Sequence, residues 1–140
     1  MSSAVLGAGA ALFAMMGGAL LMSGGFRWNL FSFHPLLMWI GCVMCSTTAI
    51  ASFVNRRHAP TAEKKTGLIQ KHVWLNSFGF LCILFGSAAI WINKERHGKP
   101  HLATWHSWIG LLAILSYAGN VAGVRRSLCI CLFASFTVVG

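Results

Sequence analysis

Long runs without charge, separated by short basic clusters, dominate the chain. Residues 1–26, 28–55, 72–93 and 100–124 contain no Asp, Glu, Lys or Arg. A helix needs about 20 mostly apolar residues to cross the hydrocarbon of a bilayer. The runs therefore predict transmembrane helices near 4–24, 33–53, 72–92 and 104–123. Residues 125–140 form an atypical tail, in which Arg125 and Arg126 precede a charge-free stretch too short for a straight span. No basic segment precedes the first run, which reads as a retained helix rather than a cleaved signal. The expectation for residues 1–140 is one all-α membrane domain, a bundle of four transmembrane helices with a short apolar C-terminal segment.

Composition agrees. Of 140 residues, 56% are hydrophobic and only 9% charged, against about 25% charged in a soluble domain. Such a chain is neither a disordered tail nor an ordinary soluble enzyme. Eleven Lys and Arg against two acidic residues give a net charge of +9. Clustered between apolar runs, these bases suit anionic lipid headgroups better than a nucleic acid, so no nucleic-acid partner is expected. Seven of them (Arg56, Arg57, Lys64, Lys65, Lys71, Arg125, Arg126) fall on the side of the N-terminus, and four (Arg27, Lys94, Arg96, Lys99) on the far side. That bias predicts a cytoplasmic N-terminus. No organelle signal is readable. Trp28, Trp91, Trp105 and Trp108 near far-side helix ends, and Trp74 near the other face, read as an interfacial aromatic belt.

Small residues in the first helix (Gly7, Ala11, Gly17, Gly18) would allow close helix approach. The cysteines (Cys42, Cys45, Cys82, Cys129, Cys131) all sit in apolar runs, which favours packing over a disulfide framework or a zinc site.

The histidines bring in chemistry. An ionisable side chain inside a span marks a functional hypothesis. His58, His97 and His101 fall between the predicted spans, and the two glutamates, Glu63 and Glu95, fall in different loops. His34, His72 and His106 stand at the starts of the second, third and fourth helices, 38 and 34 residues apart. The chain crosses the membrane between each pair, so His34 and His106 share the far side, each about one turn into its helix, and His72 lies near the opposite face. The second and fourth helices run in the same direction, which puts two imidazoles at equal depth on parallel helices. Such a pair suits the two axial positions of a b-type haem, with Gly41, Cys42 and Gly110 as small residues beside the ring plane. A single span histidine more often hydrogen-bonds a neighbouring helix.

The segments around these histidines resemble a known family. FSFHPLLM (31–38), KHVWL (71–75) and KERHGKPHLATWHSWIG (94–110) are similar to the corresponding segments of the cytochrome b561 family. They resemble above all its small cytochrome b561 domain-containing transmembrane reductases, and the resemblance covers about residues 25–124. It implies six helices, the central four gripping two b haems, with electrons passing from cytosolic ascorbate to monodehydroascorbate or a ferric chelate on the other side. It implies that His34 and His106 ligate the non-cytosolic haem iron and that His72 ligates the cytosolic one. The family's ligand opposite His72 lies on its fifth helix, whereas no histidine follows His106 here. From Arg125 onward the sequence is unlike the family's continuation, as in a version truncated after the fourth helix. A partner chain or a second copy would then donate the missing helix. The open alternatives are a haem-bearing or haem-free accessory subunit of a larger membrane complex and a nonfunctional truncated isoform. Under the resemblance, Lys64, Lys65 and Lys71, with Arg56 and Arg57, supply a basic patch for anionic ascorbate near His72. Lys99 and His101 supply groups for the acceptor near His106, where His101 would take a proton or bind a ferric chelate.

Overall fold

The computed structural model describes residues 3–23 and 27–137. It contains helices α1 (Ser3–Ser23), α2 (Leu30–His58), α3 (Ala62–Arg96) and α4 (Trp105–Thr137), and no strand occurs among the described residues. α2 is composite: α-helical over Leu30–Met38, π-helical over Trp39–Cys45, α-helical again over Ser46–Asn55, and 3-10 over Arg56–His58. The fold forms two units, residues 1–101 and 102–140. Among the described residues, α2 and α3 are each long and apolar enough to cross a membrane.

The helix ends follow from capping chemistry. Asn29 opens α2, its side chain accepting the Ser32 N–H at 2.8 Å. Thr61 opens α3, accepting from the Lys64 N–H at 3.2 Å. α3 closes on Gly98, whose φ of +60° is the left-handed turn that glycine tolerates. There the Lys99 N–H reaches the Lys94 carbonyl at 3.0 Å and the Gly98 N–H that of Glu95 at 3.2 Å, a Schellman closure.

Three expectations need correction. α2 and α3 outrun 33–53 and 72–92, because their basic ends continue as helix beyond the apolar runs. The expected 54–71 loop thus shrinks to residues 59–61, and Lys64, Lys65 and Lys71 stand on α3 itself. Glu63 and Glu95 occupy the first and last turns of that same helix rather than loops, and α3 is long enough to keep them about 48 Å apart. The tail does not stand apart either: α4 runs unbroken through Arg125 and Arg126 to Thr137.

In the first unit, α2 and α3 are antiparallel and meet along small residues. The buried positions are Gly41, Cys45, Ala49 and Ser52 on α2, and Gly79, Cys82, Ile83, Gly86 and Ala89 on α3. A Cβ on Gly41 would stand 2.6 Å from the Gly79 carbonyl oxygen, so the backbones approach as closely as glycine permits. The opposite face of α3, with Trp74, Phe78, Leu81, Phe85 and Ile92, is exposed, as a lipid-facing stripe requires. α1 packs on the middle of α2, where Gly17 and Gly18 receive the Trp39 indole. Of the four small residues expected to permit close approach, these two do so in the structure. Gly41 does not stand beside a cofactor plane: the α3 backbone occupies that space, and Cys42 faces outward. Cys45 and Cys82 are buried free thiols in the seam, in keeping with a packing role.

Candidate functional site: two imidazoles held across one helix pair

His34 is the fifth residue of α2 and His72 lies on the inner stripe of α3 with Asn76, Gly79, Ile83 and Gly86. Each imidazole reaches across the seam to a backbone carbonyl of the other helix. His34 Nδ1 donates to the Gly86 carbonyl at 3.0 Å, and His72 Nδ1 donates to the Ala49 carbonyl at 2.8 Å. A carbonyl oxygen only accepts, so Nδ1 carries the proton in both rings and Nε2 carries the basic lone pair. That tautomer is the one a metal-ligating imidazole adopts when a carbonyl orients it.

The arrangement is reciprocal. His34 marks one level of the helix pair and His72 another, separated by the 14 residues from His72 to Gly86, about 21 Å of helical rise. On α2 the same interval, His34 to Ala49, takes 15 residues. The π segment lies inside it, and a turn closed i→i+5 holds one residue more than an α-turn. The hydroxyls that follow bond carbonyls inside the π segment. Ser46 donates to the Gly41 carbonyl at 3.0 Å, Thr47 to that of Val43, and Thr48 to that of Met44 at 2.7 Å.

The surroundings of His72 are polar and aromatic. The Asn76 amide nitrogen donates to the His72 carbonyl at 2.9 Å and stands 3.2 Å from Nε2. The Phe53 ring lies 5.0 Å away, tilted by 41°, and the Arg56 guanidinium covers Phe53 at 3.8 Å. Lys71 is the residue before His72 and is exposed; Lys64 and Lys65 are exposed in the first turn of α3. Lys64, but neither Lys65 nor Lys71, lines a shallow depression with Thr61, Glu63, Thr66, Gly67 and Gln70.

At the other end of α3, His101 folds back on the helix. Its ring stacks on Trp91 at 3.8 Å and 18°, and its Nε2 meets the Glu95 carboxylate at 2.8 Å. Lys94 donates to the Pro100 carbonyl at 3.3 Å, and Lys99 is exposed. Trp91 is thus partly taken up in a packed turn rather than serving as a belt residue alone.

The second unit carries His106 as the second residue of α4, nearer the helix start than expected. Thr104 caps that helix, its hydroxyl accepting the Ser107 N–H at 3.3 Å. His34 belongs to the first unit and His106 to the second. Among the described residues, no cluster of three or more His, Cys, Asp or Glu could hold a bare metal ion.

The pattern of the family described as eukaryotic cytochrome b561 matches residues 33–136. The chain belongs to the cytochrome b561 family. The match extends past residue 124, where the resemblance read from the sequence stops, and takes in most of the stretch after Arg125. Similar relatives include the Bos taurus transmembrane reductase CYB561D2, 37% identical over 62% of this chain and 39% of the relative. The Homo sapiens probable transmembrane reductase CYB561D1 is 31% identical over 64% and 39%. The Mus musculus transmembrane ascorbate-dependent reductase CYB561 is 33% identical over 69% of this chain and 38% of its own. The chain thus spans about two-fifths of the length of these relatives. No solved structure matches it.

Sequence reasoning placed His34 and His72 at the starts of their helices, near opposite faces of the membrane. It missed Asn76, Phe53, the two carbonyl acceptors and the π segment. Two signals were there to be read: an Asn four residues after a span histidine, and the Ser-Thr-Thr triplet at 46–48.

Proposed function

We propose that this chain is a multi-pass, haem-carrying membrane electron-transfer protein that takes electrons from ascorbate and delivers them to monodehydroascorbate or a ferric chelate. In this reading all four helices lie in the membrane and the N-terminus is cytoplasmic. The observation that carries it is the pair of reciprocal bonds at His34 and His72, which hold two imidazoles at two depths by Nδ1 and leave Nε2 as the atom toward a ligand. Bound haem supplies one-electron chemistry at its iron. His34 and His106 would hold the haem nearer the non-cytosolic face, and His72 would hold one nearer the cytosol. The ligand opposite His72 comes from outside these 140 residues, from a partner chain, a second copy or a further segment.

The remaining groups handle charge and protons. Lys64, Lys65, Lys71, Arg56 and Arg57 draw the ascorbate anion toward the His72 end. On the far side Lys99 attracts the acceptor. His101 bonds through Nε2–H to Glu95 with Nδ1 turned away from that bond, and Trp91 holds the ring plane. The supporting relatives are those named as ascorbate-dependent, from mouse, and as transmembrane ascorbate ferrireductase 1, from Arabidopsis thaliana.

The test is a reduced-minus-oxidised spectrum of the purified full chain. A b-type α-band raised by ascorbate is the expected result. A band raised by dithionite alone would favour the accessory-subunit reading, and no band would overturn haem binding.

A further inference from the structure

The Nδ1 bond from His72 to the Ala49 carbonyl, together with the ring's attachment at Cβ, leaves the ring only a limited swing about its two side-chain torsions. A second contact removes this freedom. The Asn76 amide nitrogen lies 3.2 Å from Nε2 and 3.4 Å from Nδ1. An in-plane approach along the Nε2 lone pair would leave it far from Nδ1, on the other side of the ring. Near-equal distances to both nitrogens place the amide over the ring face instead. The amide is itself tethered one helical turn away, to the His72 carbonyl at 2.9 Å. Phe53, from the neighbouring helix, adds a third boundary.

We infer that Asn76 is a positioning residue that sets the plane of the His72 imidazole while leaving the Nε2 lone pair open in that plane to a ligand. The inference deepens the proposed function and rests on His72 being an axial ligand. An N–H directed at the π face also draws electron density from the ring, so Asn76 acts on both the orientation and the basicity of the ligand. The orientation of an imidazole plane governs the rhombicity of a low-spin ferric haem, which electron paramagnetic resonance reads directly.

The experiment compares the full chain, Asn76→Leu, Asn76→Thr and His72→Ala, all with ferric haem. Threonine keeps a hydrogen bond to the carbonyl one turn back but places no amide over the ring. The signal lost in His72→Ala is the one to watch. In both Asn76 variants its low-field feature is expected to shift, while the signal dependent on His34 stays in place. In haem-free protein, the His72 ring resonances are expected to move in nuclear magnetic resonance with the Nδ1–H tautomer unchanged. If His72→Ala removes no haem signal, the axial-ligand reading fails. If it removes one that both Asn76 variants leave unshifted, only the positioning role fails. Should Asn76→Leu misfold, Asn76→Thr decides. Unmoved His72 resonances in the haem-free variant would also overturn the role.

Discussion

At the His34 end of the α2–α3 pair, the two helices run in step. His34 stands level with Gly86 and Gly41 with Gly79, seven residues forward on one helix for seven back on the other. At the His72 end the steps differ. From Gly41 to Ala49 takes eight residues, against seven from Gly79 back to His72. A continuous α-helix would bring Thr48 to that level, a β-branched residue in a seam of glycine, alanine and cysteine. The π segment rotates Ala49 into the seam instead, where it is 0% exposed. The same imidazole-to-carbonyl bond is thus made at both ends, once on regular backbone and once through an inserted residue.

The largest effect that separates the ends is cofactor retention. Of the two haems expected in protein loaded with ferric haem, the more firmly held after detergent purification is lost in His34→Ala and in His106→Ala and kept in His72→Ala, which loses only the weaker one, as measured by haem-to-protein ratio. Full haem in His106→Ala would break the proposed pairing of His34 with His106.

Next comes a pair of single-residue deletions. Removing exposed Cys42 takes the extra residue out of the π segment and lets α2 run as an α-helix with Ala49 still in the seam. Removing Phe78, equally exposed on α3, widens the step mismatch between the same two levels. The Cys42 deletion is expected to unfold near the parent temperature in detergent, and the Phe78 deletion well below it with its His72-dependent signal gone. Equal damage from both would show that the π segment is not a register device.

What could be read from sequence divides along the same line. Helix existence came from charge spacing, because in a bilayer the cost of a buried charge imposes order on the whole sequence. His34 and His72 stood out for the same reason. Their partners were hidden, because a backbone carbonyl carries no residue identity: nothing in Gly86 or Ala49 as letters names them as acceptors. Gly41 illustrates the opposite hazard. A glycine near a candidate ligand looks like room for a cofactor, and here the room is filled by the α3 backbone. The helix ends were misplaced because Lys and Arg interrupt an apolar run without interrupting a helix.

Glycine substitutions sharpen the comparison at the level of packing. An alanine at Gly41 would press its Cβ against the Gly79 carbonyl, with Cys82 Cβ at 3.2 Å behind it, so backbones must part. A loss of about 1–3 kcal/mol is expected, seen as lowered thermal stability and weakened signals from both ends. At Gly86 the nearest atoms are Leu37 Cβ at 3.1 Å and the His34 carbonyl oxygen at 3.4 Å. That crowding is offset by the gain of about 1 kcal/mol in helix propensity. Gly86→Ala is expected to unfold near the parent temperature, with any spectral change confined to the His34 end.

The smallest predicted effect concerns the hydroxyls. Ser46 donates to the Gly41 carbonyl from inside α2, and Ser87 donates to the Ile83 carbonyl from inside α3 at 2.8 Å. The α3 carbonyl already receives the backbone N–H one turn on, so the Ser87 hydroxyl is a second donor to a satisfied oxygen. In the π segment the backbone closes i→i+5, a longer turn, and the Ser46 hydroxyl is expected to carry more of the bonding at the Gly41 carbonyl. Removing the two hydroxyls should therefore not be equivalent, although both sites are serine in a helix and both changes are to alanine. Ser46→Ala is expected to cost about 1 kcal/mol, and Ser87→Ala close to nothing, in parallel thermal melts. Equal losses would mean that the π backbone keeps its bonds unaided, and that Ser46, Thr47 and Thr48 follow it for some reason other than strengthening its bonding.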